Sequence, residues 1–188
     1  MKELRAAFAA RRLSFVLDRL RFLDETGITL ALTCRYGRAA PGVRVVDTVP
    51  QNYGQNITLL AAFSLQGLSA PMTVEGAVDT EVFRSYVDHV LGPTLRPGDI
   101  VLMDNLAVHK VKDIVAAIHA RGARVEYLPP YSPDLNPIEK CWAKLKTALR
   151  QAKARTREAL EEALKQALQT ISVADACAWF AHCGYPVH

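Results

Sequence analysis

A chain of 188 residues is long enough for one domain with a sizeable core. Half of its residues are apolar and 22% are charged, which argues against a disordered or fibrous chain. A net charge of +4 permits a nucleic-acid partner without requiring one. The longest apolar run, ITLLAAF, is too short to span a bilayer, and the arginine-bearing N-terminus lacks the apolar core of a signal peptide. Cys34, Cys141, Cys177 and Cys183 form no CxxC pair and read as reduced thiols, so a cytoplasmic protein is expected.

In chain order, MKELRAAFAARRLSFVLDRLR begins as a basic helix and gives way by about Leu20 to RFLDETGITLALT, a strand candidate broken by Gly27. CRYGRAAPG is a loop. VRVVDTV and NITLLAAFSL are β-rich runs, and SAPMTVEGA adds a short edge strand. Asp79 is a good N-cap for the helix TEVFRSYVDHVLGPTL. A buried strand IVLMD, a helix VHKVKDIVAAIHARG and a strand RVEYL follow, and this alternation implies a parallel pairing of the two strands. Helices are expected at about 137–153 and 157–171, and through ADACAWFAHC. The expected fold is an α/β sheet, antiparallel at its start and parallel at its end, with helices covering it.

Three acids stand out. Asp104 sits where the apolar strand IVLM runs out, the end at which open α/β sheets bind ligands. It is equally suited to capping the next helix. In RFLDETG, two-residue alternation puts Phe22, Asp24 and Thr26 on one face and Leu23 and Glu25 on the other, so one of the two acids can share a site with Asp104. Glu139 follows LPPYSPDLNP, where prolines stand at 129, 130, 133 and 137. Asn136 as N-cap, Pro137 as first helical residue and Glu139 as capping-box acid make a good structural reading. The alternative is placement: proline fixes φ and restricts its neighbour, so the stretch aims Glu139 at the strand ends. Ile138, Trp142, Leu145 and Leu149 form the buried stripe of that helix. Lys146 and Arg150 follow Glu139 at helical steps, as a phosphate-binding track would. Three carboxylates from distant parts of the chain suit divalent metal, since Mg²⁺ takes oxygen ligands and paired ions serve phosphoryl transfer. Without metal they repel one another. Spacing alone does not show that the three converge.

LDETG, MDNLAVH and LPPYSPDLNPIEKCWAKLK, in this order, resemble the catalytic domain of bacterial insertion-sequence transposases of the six-thirty type, relatives of the mariner elements. The resemblance runs from about residue 20 to the terminal WFAHCGY. It implies a ribonuclease H-like fold with a mixed five-stranded sheet, and an Asp, Asp, Glu triad binding two Mg²⁺ or Mn²⁺ ions. The matching positions are Asp24, Asp104 and Glu139, the last two separated by residues 105–138, the spacing of one major branch of these enzymes. The implied activity is hydrolysis at transposon ends and attack of the freed 3′-hydroxyl on target DNA, commonly at a TA step. Asn105 and His109 match the polar positions of the DNxxxH motif, which implies a supporting hydrogen bond or a DNA contact; packing at the start of a helix explains His109 equally well.

Members of that family usually carry N-terminal helix-turn-helix modules, whereas residues 1–20 read as a helical lead-in to a catalytic domain over 21–188. A split-frame product or truncated copy is expected, acting as a homodimer or with a partner chain that carries those modules, in the bacterial nucleoid. DNA attraction through Lys and Arg then remains, salt-sensitive and sequence-blind. Arg35 and Arg38 are candidates for DNA or subunit contact, though ordinary loop charge explains them better. The helix TREALEEALKQALQTIS carries Leu160, Leu164, Leu168 and Ile171 as a core stripe. Cys177, His182, Cys183 and His188 fit no standard zinc spacing and read as buried packing. Two rivals remain: another ribonuclease H-like nuclease, and a non-catalytic DNA-binding or subunit-poisoning fragment.

Overall fold

The computed structural model describes residues 2–52, 54 and 56–187, without the side chains of 107 and 108. Five strands form one sheet in the order β3-β2-β1-β4-β5. β1 (Leu20–Thr29), β2 (Asn56–Ser64) and β3 (Gly67–Glu75) run antiparallel as a meander. β4 (Ile100–Met103) and β5 (Arg124–Tyr127) extend the sheet parallel to β1. The meander needs only short turns, while the parallel half needs crossovers, supplied by α2 (Thr80–Tyr86) and α3 (Lys112–His119). Both halves match the expected sheet.

Two cores sandwich the sheet. On one face Phe22, Leu59, Phe63 and Leu102 pack against α1 (Lys2–Arg12), α4 (Ile138–Ala152), α5 (Arg157–Gln169) and α6 (Val173–His182). On the other, Leu23, Leu60, Val101 and Met103 pack against α2, the turn after it and α3. Burial on both faces explains the nearly unbroken apolar runs of β2 and β4. Truncating a fully buried anchor such as Phe22 to alanine is expected to cost about 3–5 kcal/mol. α1 belongs to this body: Phe8 is buried and Arg5 pairs with Asp134.

Three local expectations change. VRVVDTV is not a strand; Val43, Val45, Val46 and Val49 are exposed, and among the described residues no strand pairs with the segment. β-propensity supplies no hydrogen-bond partner, so it does not suffice. Gly27 does not break β1. It pairs with Thr58, and a Cβ there would lie 3.3 Å from the Asn56 side chain, so a small residue suits the position. The helix after β4 starts later than expected, because a 3₁₀ turn, Ala107–Lys110, precedes α3. Asp79 does cap α2, its side chain accepting from the Val82 N–H at 2.9 Å. The stripe Leu160, Leu164, Leu168 and Ile171 packs into the first core, as expected.

Candidate active site

Parallel pairing of β1 with β4 ends at Phe22 and Leu102. Beyond it, Asp24 continues on β1 opposite Ala61 of β2, and Asp104 follows the last residue of β4. The strands therefore open at their carboxyl ends, leaving a cleft of about 410 Å³. Asp24, Asp104 and Glu139 all line it, with Asn105, Asn136 and the proline loop. Glu139 arrives on the first turn of α4.

The proline stretch is tied down along its length. The Asn105 Nδ2 donates to the Leu128 carbonyl at 2.5 Å. Arg5 donates to the Ser132 hydroxyl at 2.7 Å, and the buried Tyr185 hydroxyl donates to the Leu135 carbonyl at 3.0 Å. Tyr131 takes φ +52°, a left-handed conformation uncommon for a residue with a side chain. A loop fixed by prolines and by three distant anchors delivers α4 in one direction, which accounts for the placement of Glu139.

The capping-box expectation fails. Pro137 is the N-cap of α4 and no side chain caps it. Asn136 is buried, and its Nδ2 instead donates to Asp24 Oδ2 at 3.2 Å, while its Oδ1 has no partner. The sequence signal for an N-cap was real, but the amide is drawn across the cleft by the Asp24 carboxylate, whose other oxygen accepts from the Glu25 N–H at 2.9 Å.

The electrostatics of the cleft are unbalanced. Burial, then the negative charge of Glu139, push the Asp24 carboxyl up to about 7, with Glu25 and Asp104 adding to it and the Glu25 N–H opposing. Asp104 is held differently. Its Oδ1 accepts from the Leu106 N–H at 2.9 Å and lies 2.7 Å from His109 Nδ1. Partial burial works to raise its pKa, but these bonds and the His109 charge hold it below the usual carboxylate value. Burial opposes the charged form of His109, yet Asp104 and Glu25 push its pKa up to about 9. The His109 Nε2 to Glu25 Oε2 separation is 3.4 Å with neither atom in a formed hydrogen bond, so Glu25 acts on the ring chiefly as a charge. His109 does pack, with its ring 4.6 Å from that of Phe83, and it also holds Asp104.

Among the described residues no three His, Cys, Asp or Glu side chains stand close enough to hold an ion as they are. That applies both to the cleft and to Cys177, His182 and Cys183; His188 lies outside the described residues. The cleft nonetheless fits a divalent cation chemically. It offers hard oxygen donors, a carboxyl raised by its acidic neighbours, and the unpartnered Asn136 oxygen beside it.

Lys146 and Arg150 lie half-buried on α4 below Glu139, and neither is in an ion pair among the described residues. Burial and the neighbouring Arg150 lower the Lys146 pKa, while Glu139 and Asp24 pull it back up, which places Lys146 within the field of the acids. Arg35 and Arg38 are exposed on the β1–β2 loop, and Arg35 lines a separate hollow with Cys34, Tyr36, Val45, Asp47 and Val49 among others. Sequence reasoning missed two participants, Glu25 and the cross-cleft role of Asn136. Alternation put Glu25 on the opposite face from Asp24, and nothing in the sequence showed that His109 waits there.

A mixed sheet in this strand order, flanked by helices, is the ribonuclease H-like fold. The profile of the DDE superfamily endonucleases matches residues 19–161, which takes in all three acids. The chain belongs to that family. It is similar in structure to a pre-cleavage Mos1 transpososome, with TM-score 0.79, 19% identity, and coverage of 98% of this chain and 58% of that one. A Mos1 mariner paired-end complex with Mn gives TM-score 0.73 and 20% identity, covering 98% and 58%. The catalytic domain of Mos1 mariner transposase gives 0.70 and 17%, covering 98% and 86%. The chain thus spans about 58% of the length of the transpososome chain. No curated protein matched. Among the described residues, no helix is long and apolar enough to cross a membrane.

Proposed function

We propose that the chain is the catalytic domain of a transposase of the six-thirty insertion-sequence type, which cleaves DNA strands and transfers the freed ends to target DNA. The acidic cleft carries this reading: three carboxylates reach it from β1, from the end of β4 and from α4, and Asp24 is pushed up to about 7 among them. Membership of the DDE superfamily endonuclease family supports it. So does likeness to Mos1 structures solved with a transposon end, with Mn and with Mg.

Asp24, Asp104 and Glu139 are the catalytic acids, and would hold two Mg²⁺ or Mn²⁺ ions. When bound, such ions stabilise charge developing at a phosphate and make a coordinated water or hydroxyl a better nucleophile. The protein's own part is orientation. Asn136 steadies Asp24, while His109 and the Leu106 N–H steady Asp104. Asn105 anchors the loop that aims Glu139. Lys146 and Arg150 contact DNA phosphates, with Arg35 and Arg38 as further contacts to DNA or a second subunit. Residues 21–188 make up the catalytic domain, and residues 1–20 are its lead-in, whose helix α1 packs on it. The partners are transposon ends and target DNA at TA steps, with a homodimer or a chain carrying helix-turn-helix modules, in the bacterial nucleoid.

The test is a Mn²⁺ titration by calorimetry of the wild type and Asp104→Ala, with and without a short duplex. Binding that the variant loses supports the reading. Binding equal in the two, or absent in both even with DNA, defeats it. An oligonucleotide panel then separates a transposase from other nucleases, because strand joining is specific to the former.

A further inference from the structure

We infer that Glu25 is a positioning residue of the acidic cleft, acting through His109 to fix the carboxylate of Asp104 from behind. The inference rests on the metal-binding reading of the cleft. Its ground is that two adjacent acids of β1 serve the same centre from opposite faces of the sheet.

Strand alternation sends Asp24 to the face of Phe22, towards Asn136 and α4, and Glu25 to the face of Leu23, towards α2 and α3. On that second face lies His109, whose side chain is wholly buried. Its Nε2 is 3.4 Å from Glu25 Oε2 and its Nδ1 is 2.7 Å from Asp104 Oδ1. The result is a chain of carboxylate, imidazole and carboxylate that enters beneath β1 and emerges at the cleft.

An imidazole between two carboxylates is fixed in orientation, since each ring nitrogen faces an acceptor. Phe83 covers the ring at 4.6 Å between centroids, and the Tyr127 hydroxyl donates to the His109 carbonyl at 2.9 Å. Backbone and ring are therefore both held. Asp104 Oδ1 is then committed twice, to His109 and to the Leu106 N–H, which leaves Oδ2 for the cleft. Glu25 Oε2 is buried without a hydrogen bond, although the Glu25 side chain is 23% exposed and had a route to water. That oxygen faces the imidazole at 3.4 Å rather than water, which points to the ring as its object.

A purely structural role for Glu25 predicts that its replacement lowers stability and leaves metal affinity alone. The positioning role predicts the reverse, and predicts that the effect passes through His109. Mn²⁺ titrations should be run on the wild type, Glu25→Gln, His109→Gln, the double variant and Asp104→Ala. Glu25→Gln keeps size and loses charge. It should weaken Mn²⁺ binding by about 10-fold, the usual scale for groups that orient a ligand. The double variant should bind no more weakly than His109→Gln alone. Wild-type affinity in Glu25→Gln, or losses that simply add, overturns the inference while leaving the metal site intact. Undiminished binding by Asp104→Ala overturns the metal-binding reading itself. Should Glu25→Gln fold poorly, the metal-free wild type still decides. In its NMR spectra the His109 ring should hold one orientation, its carbon-bound protons in contact with the Phe83 ring, and a ring that averages between orientations overturns the inference.

Discussion

Strand β4 is bracketed by two aspartates that the protein treats in opposite ways. Asp99, just before the strand, is wholly buried, with Arg21 Nε at 3.4 Å, Arg19 Nη1 at 3.8 Å and the Arg96 N–H donating at 3.0 Å. At the other end, Asp104 shares an opening with Asp24 and Glu139, and among the described residues no Lys or Arg lies in ion-pair contact with any of the three. Where an acid serves the fold alone, the chain supplies cations and a backbone donor. Where acids gather around a cleft, it supplies backbone N–H groups, an amide and an imidazole, but no lysine or arginine partner among the described residues. Buried carboxylates without a lysine or arginine partner are costly, and the proposed metal site would account for an imbalance kept at one end of the strand and avoided at the other.

The sharpest break of this comparison is functional. Asp104→Asn and Glu139→Gln should each cut DNA cleavage by at least about 10³-fold, the scale for losing a preorganised charge-stabilising group. Circular dichroism should stay near wild type for both, and so should the melting temperature of Glu139→Gln, which breaks no ion pair; Asp104→Asn, which removes one partner of the buried His109, should fold but melt somewhat lower. Asp99→Ala should do the opposite: it leaves Arg21 largely buried without its partner and should cost about 2–4 kcal/mol in a denaturant melt. A melt unchanged by Asp99→Ala would mean that the arginines are solvated already, and the contrast between the strand ends would fail.

The next effect depends on pH. A carboxyl near 3.8 in the unfolded chain and about 7 in the fold binds more protons when folded. Its contribution to stability is therefore constant below about 3.8, falls as pH rises towards 7, and is a fixed penalty above that. The full penalty is at most about 4 kcal/mol, and about 1–2 is expected after solvent screening at a site partly open to water. In chelator, Asp24→Asn should therefore gain stability over wild type at pH 8 and lose that advantage near pH 4. Added Mn²⁺ should close the gap at pH 8 by stabilising the wild type alone. Equal melts at both pH values would remove Asp24 from the list of strained acids.

How much of this was legible beforehand follows from what each signal depends on. Asp104 could be found because four apolar residues define a strand buried on both faces, and its end is marked by the first polar side chain. The antiparallel and parallel halves of the sheet, and the pairing of β4 with β5, followed from the change from hairpin-like to alternating elements; the order of the strands did not. The Asp24 and Glu25 faces followed from the pleat. Partners were not legible. The Asn136 amide had good local reasons to cap α4, and only the folded position of Asp24, 112 residues away in sequence, draws it elsewhere. Likewise VRVVDTV has strand composition, but pairing is a property of neighbours and none is there. Local preference was readable; competition between local and distant partners was not.

The smallest expected effect tests whether the cations near the cleft belong to the acids or to a ligand. Lys146 lies within the field of Asp24 and Glu139 without pairing with either. If it balances the acids, Lys146→Ala should destabilise the fold and raise the Asp24 pKa further. If it awaits a phosphate, stability should change by no more than about 0.5 kcal/mol. DNA affinity should then fall, and the dependence of log K on log salt should flatten by about one unit of slope, as expected for one lost phosphate contact. Arg21→Ala is the control from the other end of the sheet. It should lower stability through Asp99 and leave the salt slope of DNA binding unchanged. A salt slope that responds to Arg21 and not to Lys146 would place the DNA at the wrong end of the strands.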